Sequence, residues 1–593
     1  MKNANNKKST IKEAALNIKE KIKNPFAARK FDPVPEIDVP DVSMYGMVKL
    51  SAAKHPDAPA FDYMGKKCTY AQMIAKIDEC AKAYTAYGVK AGDVVTICMP
   101  NMPSAIISIY ALNKLGAICN IIHPLSAEQE IKRYVNSVES SILLVVDLCL
   151  KKIGSIIDET PLKHVITVCA SESMPPMLKT VYDIAKHTKK TLKGYDSRFV
   201  MWDDFYAKAK TVGTVAEFKG SNDLPAIILH SGGTTGIPKE IVHSNRAFNS
   251  FGVQAVITLK DVSVGDVMLA ILPIFHGFGL GVCIHVAFCY GACSVLIPRF
   301  DAKKFGGLLK KYKPTMIFGV PTLYEALINT RGIEKLDLSF LKYVVSGGDS
   351  LAAPLEKRIN EFLAEHNAKV KISQGYGMTE CLAAVCLAVG EGYAPGSIGL
   401  PLIGNKFCVV QPGTQTVLGP NEDGEICMSG PTIMLGYRNN EVETNDVLQI
   451  HEDGRLWLHS GDIGCIDETG KIFYKMRLKR MIVSSGYNVY PQNIEKTIEE
   501  HEAVLKCTVI GIPHPYKVEV AKAYIVLKNG FEATEKIKAE IKEHCQKNLA
   551  RYSVPYEYEY RASLPKTLMG KTDFNQLKKE HMEQMKKEEN INE

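Results

Sequence analysis

Residues 224–229 read Leu-Pro-Ala-Ile-Ile-Leu, an apolar run of buried-strand length, and one residue later the chain opens into Ser231-Gly-Gly-Thr-Thr-Gly-Ile-Pro-Lys239. A buried strand that ends in a glycine-rich loop is a frequent way for an α/β fold to present backbone to phosphate groups. Gly232, Gly233 and Gly236 carry no Cβ, so N–H groups can come close to an anion. Ser231, Thr234, Thr235 and Lys239 add hydroxyls and a charge. Pro238 precedes the lysine and no Gly-Lys-Ser/Thr is present at the right offset, which separates the run from the Walker loop. A flexible surface turn has the same composition, so the rest of the chain has to decide.

From about residue 45 the pattern is α/β. Residues 93–99, 117–122, 142–147 and 164–169 read as strands, with helical stretches between them, and 103–115 reads as a helix with Pro103 at its first position. Strand–helix alternation predicts mainly parallel sheets with helices on both faces. After strand-like 470–474 the chain becomes strongly charged at 477–480, the expected domain boundary. Beyond it lie a helix at 494–502, strands at 506–511 and 521–527 and a helix at 537–549, a small α+β module. Residues after about 576 read as a charged helical tail with little to bury. The expected organisation is a basic extension over 1–44, a large domain over 45–479 and a small mobile domain over 480–593.

Composition is that of a large soluble enzyme: 593 residues, 46% hydrophobic and 23% charged. Net charge is +7, but the lysines are scattered and no basic stripe is interleaved with aromatics, which argues against nucleic acid as a partner. The sixteen cysteines sit mostly inside apolar runs, with no CxxC pair and no His/Cys cluster at zinc spacing. Without an evident secretory signal, reduced thiols in a cytoplasmic protein are the expectation. Residues 267–298 carry no charge, a length that could span a bilayer, but Pro273, His276, His285 and four glycines favour strand, loop, helix and strand in a buried core. Lys2 to Lys30 is lysine-rich, and Ile11, Ala15, Ile18 and Ile22 fall at helical spacing. A solvated helical arm and a weak peripheral contact with an anionic membrane both fit that pattern.

Further motifs follow in order: Ser346-Gly-Gly-Asp349, Gln374-Gly-Tyr-Gly-Met-Thr-Glu380, Ser460-Gly-Asp462, Arg477-Leu-Lys-Arg480, Gly486-Tyr-Asn488, Pro491-Gln-Asn-Ile-Glu495 and Pro565-Lys-Thr-Leu-Met-Gly-Lys571. Together with 231–239 they resemble the adenylate-forming enzymes, in the acyl-CoA synthetase branch of fatty-acid and aryl-CoA ligases. The resemblance covers roughly residues 45 to 575. Two positions depart from the family pattern: Glu240 stands where glycine usually follows the lysine, and Arg480 where Asp or Lys is usual.

The resemblance implies ATP, Mg²⁺ and coenzyme A as cofactors and two half-reactions. In the first, a carboxylate displaces pyrophosphate from ATP; in the second, a thiol attacks the acyl adenylate. Ser231, Gly232, Gly233, Thr234, Thr235, Gly236 and Lys239 would hold the β- and γ-phosphates, and Thr379 the α-phosphate. Glu380 would help hold Mg²⁺, a hard ion that takes carboxylate oxygen. Tyr376 would lie on the adenine face beside Gly347, Gly348 and Gly377. Asp462 would accept the ribose hydroxyls with Arg477 nearby, and Lys571 would bridge carboxylate and α-phosphate. Arg480 is the implied hinge, and Gly486 and Tyr487 would face CoA once the small domain turns.

The substrate class can be narrowed. Amino-acid-activating relatives carry an Asp in the segment matching Pro273-Ile-Phe-His-Gly-Phe278, but His276 stands there and no acid lies near it. An unpaired buried ammonium is costly, so amino acids are disfavoured. The other pocket candidates, Phe278, Gly319, Val320, Tyr324 and Met378, are apolar or small, which fits a fatty or aryl acid. His276 fits either a gate for the pocket or a satisfied core histidine. A carrier-protein-loading ligase, a non-catalytic nucleotide-binding relative and a homodimer all stay open.

Overall fold

In the computed structural model, which describes residues 37–185, 192, 194–231, 238–330, 332–484, 487–514, 517–549, 551, 553–566 and 572–592, the apolar runs become strands. Ile142–Val146 is buried at all five positions and lies between Val94–Cys98 and His164–Val168, parallel to both. A strand covered on both faces needs no polar alternation, which is why these runs are continuous in the sequence. The eight-stranded sheet they build runs, in order, Gly436–Tyr437, Lys239–Ser244, Pro225–Ser231, Ile118–Ile121, Val94–Cys98, Ile142–Val146, His164–Val168 and Phe199–Met201. Pro225–Ser231 and Lys239–Ser244 pair antiparallel, so the glycine-rich run joins two neighbouring strands.

A nine-stranded sheet carries the next motifs. Met316–Gly319, Tyr343–Ser346 and Ile372–Tyr376 pair parallel, with Gly319 opposite Ser346 and Ser346 opposite Gln374. The 319–320, 347–349 and 377–380 segments therefore leave the sheet together at the carboxyl ends of adjacent strands, where open α/β sheets bind ligands. One continuous apolar core takes residues from both sheets, among them Phe61, Met268, Phe318 and Val345 of one and Val95, Ile97 and Leu143 of the other. Helix Pro103–Lys114 opens on its N1 proline and is buried at all twelve positions, which accounts for its lack of a polar face. The uncharged 267–298 stretch is strand Val267–Ala270, a wide-turn π-helix over Phe278–Val286, helix Ala287–Tyr290 and strand Cys293–Leu296. No helix among the described residues is long and apolar enough to cross a membrane. All sixteen cysteines are free thiols.

Two compact units divide the chain. One runs to Phe407 and includes Met428–Leu458 and Gly470–Ile472; the other is Cys408–Cys427, His459–Thr469 and the chain from Phe473 on. Within the second, a five-stranded sheet orders Tyr487–Val489, Ile482–Ser484, Val518–Leu527 and Val504–His514, with Glu557–Tyr560 pairing Val518–Leu527 in parallel. Helices Pro491–Glu499 and Glu535–Asn548 contribute Ile494, Ile498, Ile541 and Cys545 to its core. The tail corrects the sequence expectation. Phe574–Asn592 is helical, but Leu577 is fully buried with Ile510, Ile512, Val520 and Tyr524, and His581 is buried against Lys522. Arg561 pairs with Glu580 at 2.6 Å, so a helix whose composition looks solvated docks through a few residues.

Candidate active site

Strand Lys239–Ser244 organises the first cluster. Its alternation sends His243 inward, where Nε2 donates to the Thr379 carbonyl over 2.7 Å. That acceptor fixes the tautomer, and burial pushes the imidazole down to about 4, so His243 is a neutral clasp on the Thr379–Cys381 turn. Along its other edge the strand pairs with Gly436–Tyr437, Tyr437 opposite Ile241. The pairing delivers the Tyr437 hydroxyl to Glu380 Oε1 at 2.8 Å. Lys239 Nζ lies 4.3 Å from the Tyr437 ring centroid and 2.8 Å from Glu443 Oε2. Lys239, Thr379 and Glu380 are thus brought together, and Tyr437 and His243, which sequence reasoning missed, link them. Glu240 is held by Arg438, whose guanidinium is 3.4 Å from Glu240 Oε2 and also donates to the Ser137 carbonyl.

The Thr379–Glu380 turn ends in an unusual backbone. Leu382 takes φ +72°, ψ −63°, and Ala383 N–H donates to the Cys381 carbonyl over 3.0 Å, a γ-turn of the rare strained kind. Close approach to this turn explains two glycines: a Cβ at Gly277 would lie 1.6 Å from the Leu382 carbonyl oxygen, and one at Gly377 would lie 1.5 Å from that of Ala383.

Among the pocket candidates, Phe278 packs on Gly347, where an added Cβ would meet its ring at 3.3 Å and the Gly375 carbonyl at 3.1 Å. Gly348, at φ +76°, faces Val320, and Tyr376 is buried at the end of its strand. His276 and Met378 are partly exposed. Gly319 packs against Leu323. Tyr324 has no accessible surface; its hydroxyl lies 2.7 Å from the Val345 carbonyl and 3.0 Å from that of Ile317, which accounts for it as core.

In the second unit Asp462 is 1% exposed at its side chain and paired with Arg477, Nε to Oδ1 3.1 Å. The turn before it is fixed from strand Gly424–Ser429: Glu425 Oε1 accepts Gly461 N–H at 2.9 Å, and the Ser460 hydroxyl donates to the Ile426 carbonyl at 2.6 Å. His459 Nδ1 is 3.1 Å from Glu425 Oε2 and 3.4 Å from Cys427 Sγ. No spacing along the chain signals this Glu425–Cys427–His459 cluster, because two strands assemble it; its mutual contacts hold the 460–462 turn. Arg480 pairs with Glu495. Gly232, Gly233, Thr234, Thr235, Gly236, Gly486, Lys571 and the 1–36 part of the basic extension lie outside the described residues, as does the side chain of Tyr487.

Two family models match the chain. The AMP-binding enzyme model matches residues 48–438, and the AMP-binding enzyme C-terminal domain model matches residues 493–571. The chain is 29% identical over 566 residues to a long-chain-fatty-acid–CoA ligase of Bacillus subtilis (strain 168), covering 94% of this chain and 98% of that one. It is 28% identical to 4-coumarate–CoA ligase 2 of Oryza sativa subsp. japonica, covering 91% and 92%. An anthranilate CoA ligase in complex with anthranoyl-AMP superposes with a TM-score of 0.75 at 24% identity, over 92% of this chain and 98% of that one, a likeness of fold.

Proposed function

Because the chain belongs to the AMP-binding enzyme family, in its acyl-CoA synthetase branch, and is an AMP-forming acid–CoA ligase, we propose that it activates an apolar, fatty carboxylic acid. One observation carries the substrate class: the 273–278 segment offers His276 and no acid, and the apolar side chains proposed to line the acyl site, Phe278 and Val320, lie against Gly347 and Gly348. A substrate ammonium would have no partner there, whereas an alkyl chain needs none. The Bacillus subtilis relative, by its name, acts on long-chain fatty acids. The rice relative bears a 4-coumarate name, which makes an aryl acid the second reading.

The chemistry needs anions held together. A carboxylate oxygen bonds to the α-phosphorus of ATP as the bond to the β-phosphate oxygen breaks and pyrophosphate leaves; the CoA thiolate then attacks the acyl carbon and AMP leaves. Lys239, released from Glu443, would meet phosphate, and the 379–380 turn would present the Thr379 hydroxyl to it. Glu380 suits a hard cation, because Tyr437 occupies Oε1 and Oε2 has no partner among the described residues. Mg²⁺ bound there would offset phosphate charge. Asp462, with a fixed turn and two oxygens, suits a ribose diol, and Lys571 would stabilise charge that grows in the transition state. The test is a panel of fatty, aryl and amino acids assayed for CoA thioester. Fatty acids should exceed leucine and phenylalanine by several orders of magnitude in kcat/KM, with a graded chain-length series of about tenfold per well-buried methylene. Amino acids turning over as fast as the best fatty acid would overturn the reading, and coumarate or benzoate leading the panel would select the aryl alternative.

A further inference from the structure

Two neighbouring strands bring three metal-binding side chains to one buried spot. Glu425 and Cys427 stand two residues apart on strand Gly424–Ser429 and so share a face. His459, on the adjacent strand Leu456–Ile466, meets them there. Glu425 Oε2, Cys427 Sγ and His459 Nδ1 all lie within 4.8 Å of one another, and all three residues are buried. His459 Nδ1 is 3.1 Å from the oxygen and 3.4 Å from the sulfur. One Nδ1 atom offers either a proton or a lone pair, so it makes a good hydrogen bond with only one of these neighbours at a time. A metal ion among them serves all three.

The separations have the dimensions of a zinc site. Zinc bonds of about 2.0–2.1 Å to nitrogen, 2.0–2.2 Å to oxygen and 2.3 Å to sulfur, at tetrahedral angles, put nitrogen about 3.4 Å from oxygen and about 3.6 Å from sulfur. Both observed separations fall within a few tenths of an ångström of these. Donor chemistry selects the ion, since thiolate and imidazole suit Zn²⁺ whereas Mg²⁺ and Ca²⁺ take oxygen. Charge closes as well: one thiolate and one carboxylate neutralise a divalent ion, which a buried site favours. We propose that Glu425, Cys427 and His459 bind Zn²⁺, with a water molecule at the fourth position. As the Zn–S bond forms, Cys427 gives its thiol proton to solvent, and the His459 proton resides on Nε2. Cys408, on the next strand Lys406–Val410, shares a hydrogen bond with Cys427 and becomes a donor to its thiolate. Glu425 Oε1 stays on Gly461 N–H at 2.9 Å, so the ion ties the 460–462 turn to the sheet without displacing that contact.

The test is titration of Co²⁺, a spectroscopic stand-in for Zn²⁺, into the untagged full chain after chelation and dialysis, with a phosphine reductant and without ATP. Excess Mg²⁺ keeps sites built of oxygen filled. The wild type should bind one Co²⁺ per chain, with the near-ultraviolet charge-transfer band of a thiolate ligand and tetrahedral bands in the visible, and Zn²⁺ should bleach both. Cys427→Ser should remove the charge-transfer band. Glu425→Gln, which keeps an acceptor for Gly461 N–H, should weaken Zn²⁺ at least about 100-fold. Cys465→Ser, on the same strand as His459 but outside the cluster, should titrate as wild type does. A wild type without the charge-transfer band overturns the proposal, and so does a folded Cys427→Ser or Glu425→Gln variant that binds like wild type. Circular dichroism checks that each variant is folded; should one fail to fold, the other carries the test. Binding is read without substrate, so failure here leaves the acid panel untouched, and failure of the panel leaves binding untouched.

Discussion

Tyr437 donates its hydroxyl to Glu380 over 2.8 Å, while its ring face lies 4.3 Å from the ammonium of Lys239. One buried aromatic side chain thus touches the carboxylate proposed for Mg²⁺ and the cation proposed for phosphate. Its backbone is fixed by the pairing with Ile241 and by Tyr437 N–H donating to Thr444 Oγ1 at 3.0 Å.

Tyr437→Phe removes only the hydroxyl. A hydrogen bond to a charged group is worth about 1.5–3 kcal/mol, so ATP–pyrophosphate exchange should fall about 10- to 100-fold. Thioester formation from a preformed acyl adenylate should barely change. Equal loss in both half-reactions would make Tyr437 a structural residue and nothing more.

Gly277→Ala should be severe, since its Cβ would sit 1.6 Å from the Leu382 oxygen and no side chain can yield there. The strained turn after Glu380 would have to move, at a cost above about 3 kcal/mol. Gly307→Ala is the matched control. It lies in helix Phe305–Tyr312 with open space at its Cβ, and should gain up to about 1 kcal/mol. Chemical denaturation of both variants checks the contrast.

The strands were legible because burial on both faces leaves continuous apolar runs, as at Ile142–Val146. The contacts that build the site were not. Tyr437 meets Glu380 across 57 positions, through a two-residue strand too short to show any period. Glu425 and His459 stand on separate strands, and only their pairing makes them one cluster. Likewise Leu577 and His581 are lost among lysines and glutamates in the sequence, although they are what docks the last helix. Motifs reveal residues that face ligands; the residues that hold those residues carry no pattern of their own.

Acid should destabilise the fold through neutral histidines. Burial pushes His243 down to about 4 and His230 and His285 down to about 3, against 6.5 when unfolded. Between those values the unfolded chain holds protons that the native one does not, so native stability is complete above pH 6.5 and is lost as pH falls toward 4. A single such histidine contributes up to about 3 kcal/mol to that loss. His243→Gln, which keeps a donor for the Thr379 carbonyl, should flatten the fall in Tm between pH 6.5 and 4. An unchanged pH profile would show that His243 titrates normally.

Lys571→Ala should lower adenylate formation by ~10²–10³, the scale of one lost transition-state contact, and spare thioester formation from preformed adenylate. ATP–pyrophosphate exchange and single-turnover thioester assays separate the two steps. A parallel fall in both would remove Lys571 from its proposed role.

Arg480 closes the exposed edge of strand Val504–His514. It pairs with Glu495, donates to the Val509 carbonyl at 3.3 Å and stacks on Phe574 with its guanidinium carbon 3.9 Å from the ring centroid. Glu495 in turn accepts Val509 N–H at 2.8 Å, so the ion pair satisfies both backbone groups of one edge residue. Burial pushes the Glu495 carboxyl up, and Arg480 opposes that rise. Arg480→Ala would leave a desolvated carboxylate without its cation, at a cost of about 2–4 kcal/mol. Because Glu495 can then take a proton, the loss should shrink as pH falls, and Arg480→Ala with Glu495→Gln should recover most of it. Urea denaturation of the two single variants and the double variant gives the coupling directly. If the effects simply add, the pair is incidental, and the arginine at the proposed hinge acts through its backbone alone; Arg480→Pro, which fixes φ, should then still abolish CoA-dependent turnover while ATP–pyrophosphate exchange persists.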